Sequence, residues 1–166
     1  MVLKIMGLDM YLYAKRYESV SRWDKDKNKD GFYPPELTEL GNDIFNSNFM
    51  SKETSYQIGY WRKANAIHKY FVDICAEGVD DCREMYVREE VLENLLKRCK
   101  EVLADHNKAK DLLPSTSGFF FGSTDYGEWY FQDIEYTKNL LEKVLAFIKE
   151  QEEKDNDYDI YYRASW

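Results

Sequence analysis

The chain has 166 residues, a length that suits one domain with a sizeable buried core. Its composition, 44% hydrophobic and 33% charged, is that of a globular protein and excludes a disordered chain. The formal net charge of −8 argues against general binding to nucleic acid or to an anionic membrane surface, because the charges repel each other.

The cysteines and the hydropathy indicate the compartment. Cys75, Cys82 and Cys99 are odd in number and form no CxxC pair, so they do not predict a disulfide framework or a zinc site. The opening residues lack a secretion signal, and no stretch approaches the roughly 20 apolar residues that a membrane span needs. We therefore expect a soluble cytoplasmic protein with no cofactor and no membrane partner.

The first third of the chain predicts one strand and a loosely structured excursion. Residues 8–15 alternate between apolar and polar side chains, which is typical of a half-buried strand. The pattern then loosens from about residue 19 to 54, with a charged run and two prolines. Within this excursion we predict a short helix near residues 36–45.

The middle of the chain predicts two strands and two helices. A short strand near residues 56–59 passes into a helix from about Tyr60 to Ala76, and Gly78 ends it. A strand at 84–87 precedes a second helix from about Arg88 to Ala104. The apolar arc of the first of these helices is predicted to contain Ala64, Ile67, Phe71, Ile74 and Cys75.

The last third begins with the sequence SGFFFGSTDYGEWYF, from Ser117. Its glycines are separated by three phenylalanines and no lysine follows, so it does not match a phosphate-binding loop. We predict instead a buried strand, a glycine turn and a helix over 128–152 that Asp125 caps together with Glu128. The final strand, over 157–165, alternates again.

Short strands between three amphipathic helices predict an α+β fold. We expect a single two-layer domain over 1–166, with a mainly antiparallel sheet of short strands packed against the helices. The alternative is a parallel α/β sheet, which is disfavoured because its strands should be continuous apolar runs.

One loop partly matches a calcium-binding pattern. Asp26, Asn28, Asp30 and Gly31 fit the first half of such a loop, where oxygen donors alternate before a glycine. The bidentate glutamate that should complete the loop falls at Leu37, and two prolines precede it. The residues therefore favour a solvated charged loop, and the calcium site stays the weaker interpretation.

No catalytic motif appears, but two segments supply candidate ligand-binding side chains. The helical segment offers an indole, a guanidinium, an amide and an imidazole, and the turn after the phenylalanines offers hydroxyls; such groups suit a planar anionic ligand. His68 could instead be a packed histidine bonded inside the fold. The candidates are Trp61, Arg62, Asn65, His68, Ser123, Thr124 and Tyr126.

Four segments resemble a family of small proteins encoded by phages and prophages. They are MGLDMYLYAKRY at 6–17, GYWRKANAIHKYFV at 59–72, LLPSTSGFFFGSTDYGEWYFQDIEYT at 112–137 and IYYRASW at 160–166. The resemblance spans nearly the whole chain except the segment from residue 20 to 54. It implies a phage accessory protein in the host cytoplasm, and it implies no particular catalytic residues.

Two functional hypotheses follow. The first is a non-enzymatic protein that binds a host protein or a small molecule, in keeping with a counter-defence role; the acidic charge and the 14 tyrosines favour it. The second is a small enzyme or nucleotide-binding protein. It would use a cleft where the edge formed by Trp61, Asn65 and His68 meets the turn at 123–126.

Overall fold

The computed structural model describes residues 7–21, 34, 36–37 and 49–166. Its strands form one four-stranded antiparallel sheet in the order β2-β1-β4-β3. This sheet, with the helices described next, confirms the predicted α+β fold. The strands are β1 (Asp9–Ser21), β2 (Phe49–Arg62), β3 (Met85–Tyr86) and β4 (Asp159–Ser165).

Four α-helices lie in the described part of the chain. Two of them closely match the helices predicted at about Arg88–Ala104 and over 128–152. A short helix at Ala109–Leu112 and the 3₁₀ turn at His106–Lys108 were not predicted. The first helix begins five residues later than predicted because β2 continues through Trp61 to Arg62. The helices are α1 (Asn65–Cys75), α2 (Glu89–Ala104), α3 (Ala109–Leu112) and α4 (Glu128–Glu152).

The alternating residues of β1 and β4 build the sheet side of the core. In the register of this pair, Leu12 lies opposite Tyr162, and Met10 lies opposite Ala164. All four are buried, so every second side chain points to the same covered face, as the period of two predicts. The ring of Phe71, from α1, stacks on Tyr162 with the centroids 4.3 Å apart.

The chain divides into two compact units. The first comprises residues up to Lys15 and from Ser55 onward, and it contains the helices and the core described above. The second comprises Arg16–Thr54, where Glu18 forms ion pairs with Arg16 (3.7 Å) and Lys52 (3.5 Å).

The predicted excursion at 19–54 is described only in part. Residues 19–21 belong to β1 and residues 49–54 to β2, so both strands extend into it. Residues 36 and 37 are helical, and the rest of the helix predicted near 36–45 lies outside the described residues. The weak calcium candidates Asp26, Asn28 and Asp30 also lie outside them.

The prediction of a buried strand at the three phenylalanines is wrong. Residues 119–120 form a turn, closed by a hydrogen bond from the Phe121 amide to the Gly118 carbonyl (3.1 Å). Phe119 is 96% exposed, whereas Phe121 is buried. Gly122 has a φ of +82°, a conformation that glycine adopts without strain, and the chain reverses there rather than extending.

The predicted capping box at the start of α4 is also wrong. The N-cap residue is Gly127, and no side chain bonds to the free amides of the first turn. Asp125 instead closes a local turn: the hydroxyl of Ser123 donates to its carboxylate (2.9 Å) and accepts from its backbone amide (3.0 Å). The N-cap lies two residues beyond Asp125, so the Asp125 side chain is out of capping position.

Candidate functional site

A cleft of about 290 Å³ opens where the end of β2 and the first turn of α1 meet the start of α4. The loop at 122–125 forms its third wall. Its floor is apolar, with Ala66, Ile67 and Ile134, and its rim carries charged and polar side chains. This volume lies at the lower end of the range for small-molecule sites. The cleft is therefore a candidate site for a small ligand.

A left-handed residue shapes the β2 side of the cleft. Lys63 has a φ of 61°, which turns the chain sharply between the end of β2 and the start of α1. Its amide donates to the Leu8 carbonyl (2.8 Å), and its side-chain stem lies beside Gly122, where an added Cβ would come within 3.2 Å. A non-glycine residue in this conformation is strained, and such positions are common at functional sites.

Asn65 holds the loop wall of the cleft in place. Its side-chain amide donates to the carbonyls of Phe121 (3.1 Å) and Ser123 (2.8 Å), and its side-chain oxygen accepts from the Thr116 amide (3.0 Å). The residue is buried, and these three bonds use both its side-chain nitrogen and its side-chain oxygen. Asn65 thus contributes to the cleft mainly by positioning the loop.

Two cations at the rim have no anionic partner among the described residues. Arg62 and Lys63 are both exposed, and neither forms an ion pair with a described carboxylate. The first amides of α1 offer less to an anion, because Asn65 already donates to Lys63, and Ile67 and His68 donate to the Ala64 carbonyl. An anionic group in the cleft would therefore be held by the two side chains more than by the helix N-terminus.

The opposite rim, from α4 and the preceding loop, is acidic and aromatic. Burial raises the pKa of the Asp133 carboxyl to about 6, and this carboxyl has no hydrogen-bond or ion-pair partner in the described part of the chain. Asp125 lies on the loop, and the indole of Trp129 is 81% exposed at the mouth. Trp129 and Asp133 are four residues apart, so they share one face of the helix.

Three of the seven predicted ligand-binding residues line this cleft: Arg62, Asn65 and Ser123. Trp61 does not, because it lies in β2 rather than on the helix. Its buried indole donates to the Thr137 hydroxyl (2.8 Å).

The other two residues of the predicted turn also lie outside the lining. The hydroxyl of Tyr126 accepts from the Ser115 amide (3.1 Å), and the carbonyl of Thr124 accepts from the Ser115 hydroxyl (2.8 Å). Both residues therefore fasten the loop to the segment that precedes the phenylalanines.

His68 is a core residue that joins three parts of the fold. Its exposed fraction is 1%, its Nε2 lies 2.9 Å from the carboxylate of Asp80, and its Nδ1 lies 2.7 Å from the Tyr162 hydroxyl. In the neutral imidazole tautomer whose Nε2–H donates to the Asp80 carboxylate, Nδ1 accepts from the Tyr162 hydroxyl. Burial raises the pKa of Tyr162 well above its ordinary value, which keeps this hydroxyl protonated. Neither ring nitrogen is left for a ligand.

Sequence reasoning missed Lys63, Trp129 and Asp133. The buried positions of α4 include Tyr130, Ile134 and Thr137, and Asp133 falls directly beside the arc that they define. A carboxylate at the margin of an apolar helix face was therefore the signal that could have indicated a site.

The described residues give no evidence of a metal centre or a membrane segment. Within them, no group of three or more His, Cys, Asp or Glu residues could hold a metal ion. No helix in the same residues is long and apolar enough to cross a bilayer. No family model, curated protein sequence or solved structure matches the chain.

Proposed function

We propose that the protein is a non-enzymatic binding protein whose cleft takes a small planar molecule with an anionic group, such as a nucleoside monophosphate. The observation that carries the proposal is that one cleft combines an exposed indole, Trp129, with two cations, Arg62 and Lys63, that form no ion pair with a described carboxylate. The cations suit a phosphate or carboxylate, and the indole offers a face on which a planar group stacks.

The size of the cleft favours a small molecule over a protein partner. A standard protein interface is an extended surface that buries about 800 Å² on each partner. This site is instead a concave cleft of about 290 Å³, which is close to the volume of a small-molecule site. The enzymatic alternative has less support. His68, the side chain best suited to acid–base chemistry, makes hydrogen bonds with both ring nitrogens inside the fold.

The resemblance to phage and prophage proteins supports a setting for this role. In that setting the protein acts as an accessory protein in the host cytoplasm, where it sequesters a host small molecule without converting it. The net charge of −8 fits such a role, since it keeps the protein away from nucleic acid and leaves the cleft cations as a local anion site.

Calorimetric titration with nucleoside 5′-monophosphates and with the corresponding nucleosides tests the proposal. The monophosphates should bind more tightly, and the Arg62→Ala/Lys63→Ala double variant should lose that advantage, roughly 30-fold if each exposed cation contributes about 1 kcal/mol. The control is Lys97→Ala/Lys143→Ala, which removes two exposed positive charges outside the cleft.

Trp129→Ala should weaken the binding of nucleosides and of monophosphates by the same factor, because stacking on the indole does not involve the phosphate. The proposal fails if no monophosphate binds at millimolar concentration. It also fails if the double variant in the cleft binds as the control variant does.

A further inference from the structure

Asp133 presents a carboxyl group to the cleft without a partner of its own. Tyr130, which precedes it on the same face of α4, directs its hydroxyl away, to the Leu113 carbonyl (2.7 Å). The backbone carbonyl of Asp133 accepts from Thr137 (2.7 Å), but its side chain makes no hydrogen bond or ion pair with any described residue. The side chain is half-buried, so its carboxyl oxygens can accept hydrogen bonds from a molecule bound in the cleft.

The position of this carboxyl relative to Trp129 defines the geometry of that donor. The two side chains project from the same helix face one turn apart, so a ring stacked on the indole places its edge toward the carboxyl group. A carboxylate accepts two parallel N–H bonds, and a planar edge with two adjacent N–H donors matches it. Among nucleobases, guanine carries such an edge, whereas hypoxanthine lacks one of the two donors and adenine has a different pattern.

We propose that Asp133 selects the ligand by its base, and that the preferred ligand is a guanine nucleotide whose ring N–H and exocyclic amino group bind the Asp133 carboxylate. This inference rests on the proposed function of the cleft. Arg62 and Lys63 bind the phosphate of this ligand, and Asp133 binds its base at the opposite end. Asp125 is the other carboxylate in the lining, and its Oδ2 accepts from the Ser123 hydroxyl.

The ionisation of Asp133 gives the proposal a pH signature. Its pKa of about 6 means that the carboxyl is protonated below that pH, and a protonated carboxyl offers one donor and one acceptor instead of two acceptors. Binding of guanine should therefore weaken as the pH falls through 6. Inosine 5′-monophosphate carries the same phosphate, so the ratio of the two affinities cancels the titration of the phosphate.

The experiment is a calorimetric titration of guanosine, inosine and adenosine 5′-monophosphates between pH 5 and 8. The wild type should prefer guanosine over inosine monophosphate by roughly 5- to 150-fold at pH 7.5, the discrimination expected of one bidentate pair. The preference should shrink below pH 6. Asp133→Asn should abolish both the preference and its pH dependence, because an amide offers one donor and one acceptor.

Glu135→Gln is the matched control, since it removes one exposed carboxylate from the same helix outside the cleft. Equal affinities for the three nucleotides, with phosphate-dependent binding still lost in Arg62→Ala/Lys63→Ala, would overturn the selection by Asp133 and leave the binding function standing. No binding of any nucleotide would overturn both. A preference for guanosine monophosphate that persists in Asp133→Asn would also refute the assignment.

A second measurement requires no ligand. The pKa of Asp133 is raised above its ordinary value of 3.8, so its protonated form favours folding, and that contribution is lost as the pH rises through about 6. Asp133→Asn, which does not ionise, should therefore melt at a higher temperature than the wild type at pH 8, and the difference should become smaller as the pH falls from 6 toward 3.8. A lower melting temperature at pH 8 would contradict the partnerless carboxyl on which the inference rests.

Discussion

Replacement of Asn65 by alanine should loosen the wall of the cleft at a cost that follows from its three hydrogen bonds. The side chain donates to two carbonyls and accepts from one amide of the 116–123 loop, at distances of 2.8 to 3.1 Å. At about 1 kcal/mol for each bond, the free energy of unfolding should fall by about 3 kcal/mol. For a chain of this length that corresponds to a decrease of roughly 6–12 °C in melting temperature.

Replacement of Asn65 by aspartate separates hydrogen bonding from packing. Aspartate has nearly the same shape and keeps the acceptor for the Thr116 amide, but it loses both donors and turns a carboxylate oxygen toward the carbonyls of Phe121 and Ser123. We therefore expect Asn65→Asp to destabilise the protein at least as much as Asn65→Ala, although it leaves no cavity.

Urea denaturation followed by circular dichroism measures these losses, and hydrogen exchange at the Thr116 amide reports the loop itself. Asn139→Ala and Asn139→Asp are the matched controls, because Asn139 is exposed on α4 and such substitutions usually change stability by less than about 0.5 kcal/mol. If the Asn65 variants fall within that margin of the controls, or if Asn65→Asp proves milder than Asn65→Ala, the reasoning from donor pairing is wrong.

Three further predictions follow from burial. Phe119→Ser should leave the stability within about 0.5 kcal/mol of wild type because the ring is exposed, whereas Phe121→Ala should cost roughly 2–4 kcal/mol in urea denaturation; equal losses would refute the turn. Tyr162→Phe should cost about 1–3 kcal/mol, since it leaves Nδ1 of buried His68 without its donor; an unchanged denaturation midpoint would contradict that bond. Burial raises the pKa of Cys99 to about 12, so iodoacetamide at pH 8 should modify this thiol only on unfolding; mass spectrometry showing rapid modification of the native protein would refute its burial.

The sheet and the long helices could be predicted from the sequence because their burial pattern is local. At the start of β1 and in the residue before it, the alternation alone identifies Leu8, Met10 and Leu12 as buried, and the structure covers all three. The same logic failed at Phe119, because three consecutive apolar residues do not reveal whether neighbouring strands exist to pair with them. The structure closes a turn from Gly118 to Phe121 instead, and Gly122 follows it with a positive φ.

The candidate site was less predictable because its residues depend on contacts between distant segments. Asn65 was predicted to bind a ligand directly, yet its side chain is buried and bonded to the 116–123 loop. Arg62 and Ser123 were selected by residue type and do meet in the cleft. Lys63 and Asp133 gave no motif, since an isolated lysine or aspartate on the surface of an acidic protein is ordinary.

The contrast between satisfied and unsatisfied polar groups is the strongest physical reason to place the function in the cleft. Elsewhere, most of the buried polar groups are paired: the indole of Trp61 donates to Thr137, and Asn65 uses both its amide nitrogen and its amide oxygen. The exception among the described residues is Oδ1 of Asp80, which is buried without a hydrogen-bond partner. Around the cleft, Arg62, Lys63 and Asp133 have no such partners among the described residues. Because burial disfavours the ionised form of Asp133, a ligand that donates hydrogen bonds to this carboxylate would offset part of that cost, which supports the proposed binding role of the cleft.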